Sequence, residues 1–251
     1  MSPIARNPLL LTASLVAGLL VVATAVTALL QRLRPERDLS EVRARIGSWW
    51  VMAGVFLAAL LLSRRAALVF FMLVCFWALR EFFSLVPGRL VDRGAVFAAY
   101  AAIPLQFLFI DAGWYGMFIV FIPVYMFLLG PFLLMRTGEP KGFVVSASRI
   151  HWGLMTFVFG LSHAANLLSL PERSDAPAGG RGLLLYLVLL TELNDVFQFL
   201  SGKTFGRHRI TPVISPKKTW EGFLGGVLLT IPLAAVLRYL TPLSLAEALV
   251  A

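Results

Sequence analysis

The chain has 251 residues, of which 59% are apolar types and 14% are Asp, Glu, Lys or Arg, and its mean hydropathy is +0.84. Soluble domains hold roughly 45–50% apolar and about 25% charged residues, which argues against a soluble enzyme, a disordered protein and a nucleic-acid-binding arm. The formal charge of +9 then reads as positive-inside bias rather than affinity for nucleic acid, and the lone Cys75 rules out an internal disulfide and a cysteine-based zinc site.

An apolar stretch of about 20 residues crosses the hydrocarbon core as a helix, because lipid leaves every backbone polar group to be satisfied internally. The sequence predicts eight such spans, at 8–30, 46–62, 66–79, 95–111, 114–135, 151–170, 183–201 and 223–241. The first is uncharged and too long for a signal-peptide core, and no small-residue cleavage site follows it, so it counts as a span. The stretch Arg32 to Arg45 mixes five Arg with Glu36, Asp38 and Glu41. It reads either as a surface helix on anionic headgroups or as a solvated linker. Ser63-Arg64-Arg65 forms a tight turn between the second and third spans, and the third can extend through Arg80-Glu81-Phe82-Phe83. Pro171 to Gly182 reads as an external loop. No internal repeat stands out, which counts against an inverted-repeat transporter.

The fold class expected is therefore all-α: a polytopic integral membrane helical bundle of about eight transmembrane helices. The whole chain, 1–251, is read as one multi-pass domain, with 1–182 a helical scaffold and 183–241 the candidate site region. Loops one, three, five and seven hold 5, 3, 3 and 5 Lys and Arg, or 16 of the 22 in the chain. That asymmetry predicts odd loops in the cytoplasm and the N-terminus outside.

The seventh span is the least membrane-like. At about 100° per residue, Thr191, Asn194, Asp195 and Gln198 share an arc of about 100°, with Glu192 and Ser201 at its edges. Each ionisable group at the bilayer centre costs roughly 2.5–3.5 kcal/mol on insertion scales, so this face should meet a polar cavity, a metal or a partner helix. Three uses are open: interhelical hydrogen bonding, a proton or cation relay through Glu192 and Asp195, or Mg²⁺ ligation by Asp195 together with substrate phosphates.

The loop that follows favours the last. Lys203, Arg207, Arg209, Lys217 and Lys218 crowd it, with glycines at 202, 206, 222, 225 and 226. Glycine permits close backbone approach and Lys or Arg supplies charge for phosphate. Ser215-Pro216-Lys217-Lys218-Thr219-Trp220-Glu221 leads into the last helix, and helix N-terminal amides beside hydroxyls and lysines suit an anion. The bland alternative is a set of positive-inside residues touching headgroups. Gly202-Lys203-Thr204 is no Walker loop: it lacks the upstream glycine and follows no strand.

At these residues the sequence resembles the phosphatidate cytidylyltransferase (CDP-diacylglycerol synthase) family. The likeness lies in Asn194-Asp195, Gly202-Lys203-Thr204-Phe205-Gly206 and Ser215-Pro216-Lys217-Lys218-Thr219-Trp220-Glu221-Gly222. The resemblance implies transfer of a cytidylyl group from CTP to phosphatidate, forming CDP-diacylglycerol and pyrophosphate at a cytoplasm-facing site of the cell membrane. It assigns Asp195 to metal and catalysis and Lys218 to catalysis. Asn194, Gln198, Lys203, Ser215, Lys217, Thr219 and Glu221 would hold substrate. The implied cofactor is Mg²⁺, with room for a second, monovalent cation, and the implied partners are CTP, phosphatidate and membrane lipid, with a homodimer allowed and no nucleic acid. The family's further acidic signature, Pro-Gly-His-Gly-Gly and Asp-Arg-x-Asp, has no counterpart here, so either a C-terminally incomplete chain or a degenerate, binding homologue is expected.

Other residues are given structural roles. His163 and Asn166, beside Ser162, are expected as a hydrogen-bonded core pair, and His151 at an interface. One histidine among arginines, His208, carries little weight. Trp49, Trp50, Trp114, Tyr115 and Trp152 suit aromatic belts, and Gly18, Gly54 and Gly160 suit helix packing.

Overall fold

The computed structural model describes residues 7–36, 38–86, 88–170 and 178–250. Among them, eight helices are long and apolar enough to cross a membrane: α1 (Pro8–Leu33), α2 (Ser40–Leu62), α3 (Arg64–Leu85), α4 (Leu90–Asp111), α5 (Tyr115–Met135), α6 (Phe143–Ser169), α7 (Gly179–Phe205) and α8 (Trp220–Leu240). The protein is a polytopic helical membrane protein. A short helix, α9 (Leu245–Val250), follows α8.

Several boundaries differ from expectation. Gly142 takes a left-handed φ of 76°, open to glycine, and α6 starts right after it, eight residues ahead of the predicted 151. Helix α7 runs on through Gly202 to Phe205, so the first part of the predicted basic loop is a last helical turn. Arg32 lies in the last turn of α1, while Arg43 and Arg45 lie in the first turns of α2. The stretch between those ends is thus no separate surface helix, and Arg37 falls outside the described residues. The expected loop from Pro171 lies outside them as far as residue 177, and from Gly179 it is already helix. One non-helical element joins the all-α plan: strands β1 (Arg209–Thr211) and β2 (Ser215–Thr219) pair antiparallel, Arg209 opposite Thr219 and Thr211 opposite Ser215.

The chain divides into two compact units, Leu20–Ser169 and Met1–Leu19 with Leu170–Ala251. In the first, Leu60, Leu79, Ile103, Phe118, Ile122 and Leu154 are fully buried. Ser63 caps α3 by accepting from the Ala66 amide at 3.0 Å, and Arg64 reaches Asp111 at 2.7 Å and the Ile110 carbonyl at 2.9 Å. Asp92 is wholly buried. Its carboxylate accepts from Arg89 Nη2 at 2.8 Å and from the Ser146 hydroxyl at 2.5 Å, and Arg89 also donates to the Lys141 carbonyl. The start of α4 is thereby fastened to the start of α6. Deeper in, the buried Gln106 donates to the Phe118 carbonyl at 3.0 Å and to Ser162 at 3.2 Å. The partner of Ser162 is thus a glutamine of α4. His163 is exposed and meets its own helix at the Phe159 carbonyl, 2.7 Å away, rather than pairing with Asn166.

In the second unit α7 and α8 pack closely, and glycines make that possible. A Cβ on Gly222 would stand 2.9 Å from the Gln198 carbonyl oxygen and 3.1 Å from Gly202 Cα, while one on Gly225 or Gly226 would collide with Ser201 or Gln198. The glycines expected to pack are not at close approaches among the described residues: a Cβ added to Gly18 or Gly54 would meet nothing within 4 Å, and one on Gly160 only the Met155 carbonyl of its own helix. Elsewhere in the unit, Thr12 of α1 bonds Tyr239 at 2.7 Å and Tyr186 donates to the Ala248 carbonyl of α9 at 3.3 Å.

Candidate functional site

The polar stripe of α7 divides by depth against α8. Ser201 is buried; Asn194 and Gln198 are half-buried; Thr191, Glu192 and Asp195 are exposed. Asn194 Oδ1 accepts from the Thr230 hydroxyl of α8 at 3.2 Å, and that hydroxyl also donates to the Gly226 carbonyl at 2.8 Å. Asn194 and Gln198 therefore set the spacing of the two helices. Thr191 returns its hydroxyl to the Leu187 carbonyl at 2.8 Å.

Beyond α7 the chain turns sharply. The Gly206 amide bonds the Gly202 carbonyl at 3.0 Å, and any Cβ on Gly206 would run into that carbonyl and the Thr219 side chain. The hairpin then returns the chain to α8. Thr219 is the N-cap, its hydroxyl accepting from the Gly222 amide at 3.2 Å, which satisfies one of the free amides at the helix start. The lysines just before it are consequently strand residues, not helix N-terminal ones. Glu221 folds back over the hairpin base: its carboxylate accepts from the amides of Arg207 at 3.0 Å and His208 at 3.2 Å and meets His208 Nδ1 at 2.6 Å. The Trp220 amide donates to the His208 carbonyl at 2.9 Å.

This frame aims Lys218 at α7. Its Nζ stands 3.2 Å from Asp195 Oδ1, with the two side chains 52% and 75% exposed. Residues 23 positions apart form one exposed, oppositely charged pair, open to a ligand from outside. Thr219 and Glu221 are close by, but Thr219 caps and Glu221 holds the hairpin. Ser215 pairs with Thr211 at the far end of β2, Lys217 is exposed, and Lys203 lies 5.8 Å from the Phe199 ring on α7. The structure thus brings Asp195 and Lys218 together, uses Asn194, Gln198, Thr219 and Glu221 to build their setting, and leaves Ser215, Lys217 and Lys203 at its margin.

A family model of the cytidylyltransferase family matches residues 43–251, which include every one of these residues. The chain belongs to the cytidylyltransferase family. It is 39% identical over 236 residues to Uncharacterized protein YnbB of Escherichia coli (strain K12), a match covering 93% of this chain and 76% of the relative. It is 30% identical over 155 residues to a phosphatidate cytidylyltransferase of Haemophilus influenzae, covering 59% of this chain and 47% of that protein. A shorter match, 47% identical over 57 residues and covering 22% of each chain, joins it to a phosphatidate cytidylyltransferase of Staphylococcus aureus (strain COL). The chain thus spans about three quarters of the first relative and about half of the second. No solved structure matches it.

For this family member a metal set made by protein alone is not on view. Among the described residues no group of three or more His, Cys, Asp or Glu is placed to hold an ion. Asp195 offers one accessible carboxylate, which fits Mg²⁺ of the kind carried mainly by substrate phosphates and water. Two features escaped the sequence reading. The clamp made by Glu221 needs the hairpin to bring it to Arg207, and the Thr219 cap marks the true start of α8; the threonine before the apolar run was the available signal.

Proposed function

We propose that the chain transfers a cytidylyl group from CTP to phosphatidate, giving CDP-diacylglycerol and pyrophosphate. The observation that carries this is the Asp195–Lys218 pair, 3.2 Å apart, in which the end of β2 reaches back to the polar stripe of α7, together with membership of the family. A phosphate oxygen of phosphatidate attacks the α-phosphorus of CTP, a new P–O bond forms, and the bond to the β-phosphate breaks. The nucleophile is already ionised, so the protein's work is positioning and charge neutralisation. Lys218 supplies a point positive charge to the triphosphate or the lipid phosphate. Asp195, released from Lys218 as phosphate takes the lysine, is the carboxylate available to Mg²⁺, which bound there would offset phosphate charge as a Lewis acid. Asn194 and Gln198 keep α7 and α8 in register beneath the pair, and Lys203, Ser215 and Lys217 extend the cationic and hydroxyl border toward substrate.

The excess of Lys and Arg in the odd loops, 16 of 22, supports a reading in which this end of α7 faces the cytoplasm, where CTP is, and the N-terminus lies outside. The test is incorporation of labelled CTP into chloroform-soluble lipid by membranes containing the chain. Incorporation that needs Mg²⁺ and is abolished by Asp195→Asn supports the assignment. Absence of incorporation, or cation-driven flux into proteoliposomes without CTP, overturns it.

A further inference from the structure

The hairpin between α7 and α8 ends in side chains that neither the fold nor the transfer chemistry uses. Val213 is 97% exposed and Ile214 86%, and Val213 is the most exposed large apolar side chain among the described residues. They occupy the three-residue turn from Pro212 to Ile214 that joins β1 to β2. A single exposed aliphatic residue is ordinary on any surface. Two in succession at the tip of a projecting hairpin present a compact apolar point.

The charge around that point has one sign. Arg207 and Arg209 lie on the incoming arm, Lys217 and Lys218 on the outgoing one, and Glu221 is the one acidic residue between Gly206 and Gly226. Its carboxylate is already taken by the Arg207 and His208 amides and the His208 ring. The hairpin also leaves and rejoins one membrane surface, because it lies between consecutive spanning helices. Phe205 closes α7, Trp220 opens α8, and both are exposed, as aromatic residues at headgroup level are.

We infer that the β1–β2 hairpin is a lipid-contacting tip. Val213 and Ile214 enter the boundary between headgroups and acyl chains of anionic lipid, while Arg207 and Arg209 rest on lipid phosphates. An apolar point ringed by cations is the chemistry that holds a surface segment on an anionic leaflet. The same strand carries Lys218, so the contact steadies the backbone from which that ammonium reaches Asp195; this consequence rests on the proposed transfer reaction, whereas the contact itself does not.

Two measurements on the full chain test it. The single native cysteine, Cys75, is buried, so Val213→Cys supplies the accessible thiol for an environment-sensitive fluorophore. In vesicles of phosphatidylcholine with phosphatidylglycerol, the emission should shift to the blue and be quenched by lipids spin-labelled near the headgroup. The shift should be lost in Arg207→Gln/Arg209→Gln and in pure phosphatidylcholine. Water-like emission in the anionic vesicles overturns the inference and turns the tip toward an aqueous protein partner. Second, Val213→Ser/Ile214→Ser should raise KM for vesicle-borne phosphatidate several-fold and leave KM for CTP unchanged. An unchanged lipid KM overturns the link to Lys218. A chain without transferase activity overturns the transfer reaction alone, since the fluorescence still decides the lipid contact.

Discussion

Gly222→Ala is the sharpest perturbation of the site that touches none of its charged groups. The added Cβ would lie 2.9 Å from the Gln198 carbonyl oxygen and 3.1 Å from Gly202 Cα, where ordinary contact begins at 3.4 Å. Both neighbours are backbone of α7 and cannot rotate aside, so the start of α8 must retreat by roughly 0.5–1 Å to reach van der Waals separation. Overpacking of this kind costs about 1–3 kcal/mol. For a chain of this length that corresponds to a fall in Tm of about 2–12 °C, at roughly 2–4 °C per kcal/mol. The retreat also moves Thr219, whose hydroxyl caps the Gly222 amide, and with it Lys218. The Lys218–Asp195 contact of 3.2 Å has little slack before it ceases to be a hydrogen bond. Misplacement of about 1 Å can cost on the order of 10²-fold in rate, so cytidylyl incorporation should fall about 10- to 100-fold. The assay is labelled CTP incorporation beside thermal unfolding in detergent, with Gly54→Ala as control, since Gly54 has nothing within 4 Å. The control should keep its rate and gain roughly 0.5–1 kcal/mol from losing a mid-helix glycine. Gly222→Ala at the wild-type rate would refute the coupling of helix spacing to the charged pair, whatever happens to Tm.

Asp195→Asn and Lys218→Gln should each leave Tm within a few degrees of wild type, because an exposed ion pair contributes about 0–1 kcal/mol, while each reduces incorporation by at least about 10²-fold, as loss of a group stabilising transition-state charge does; a Tm loss matching the loss of rate would make the pair structural. Asp92→Ala should do the reverse: removing the fully buried acid leaves the partly exposed Arg89 and the Ser146 hydroxyl without that acceptor, at roughly 1–3 kcal/mol, read as a fall in Tm that Ser146→Ala reproduces only in part. Acid should loosen α9. The Ser244 amide and hydroxyl hold the Glu247 carboxyl below its ordinary value of 4.5, so the stabilisation is complete above that value and is lost as pH falls through the lower, folded one. The protection factors of the amides of residues 245–250, with the intrinsic pH dependence of exchange divided out, should therefore fall at acid pH in wild type and stay level in Glu247→Gln.

What could be read from the sequence followed from periodicity and hydropathy, and what could not depended on contacts. The stripe Thr191, Asn194, Asp195 and Gln198 was visible because a helix repeats every 3.6 residues, and lipid forces an apolar segment to be a helix. The site's second half was harder. Ser215 to Thr219 contains a proline and two lysines and looks like the mouth of a helix; it is a strand because Arg209 and Thr211 stand opposite it. Gly18 and Gly54 have the composition of packing residues, yet the packing falls to Gly222, Gly225 and Gly226, whose importance comes from the chain they face. Gln106 gave no signal at all, since one glutamine in an apolar run has meaning only once Ser162 and the Phe118 carbonyl are known to lie against it.

Glu221 shows how the two levels combine. Next to two lysines and a threonine, in a segment resembling that of a nucleotidyl-transferring family, it invites a role in holding substrate. Its carboxylate closes three contacts inside the protein, two with backbone amides and one with the His208 ring. An anionic group placed among phosphates would repel them, whereas one consumed by hairpin amides leaves the neighbouring cations free for ligand. The acid is compatible with a neighbouring phosphate site because its contacts are these amides and the His208 ring, not the ammonium groups of Lys217 and Lys218. Glu221→Gln keeps one oxygen acceptor for the Arg207 and His208 amides but loses the charge that favours the His208 contact. It should consequently weaken the placement of Lys218 less than Glu221→Ala, which leaves both amides unpaired, and the order of CTP incorporation, wild type above Gln above Ala, distinguishes a clamp from a substrate ligand, for which the uncharged glutamine would fare as badly as alanine.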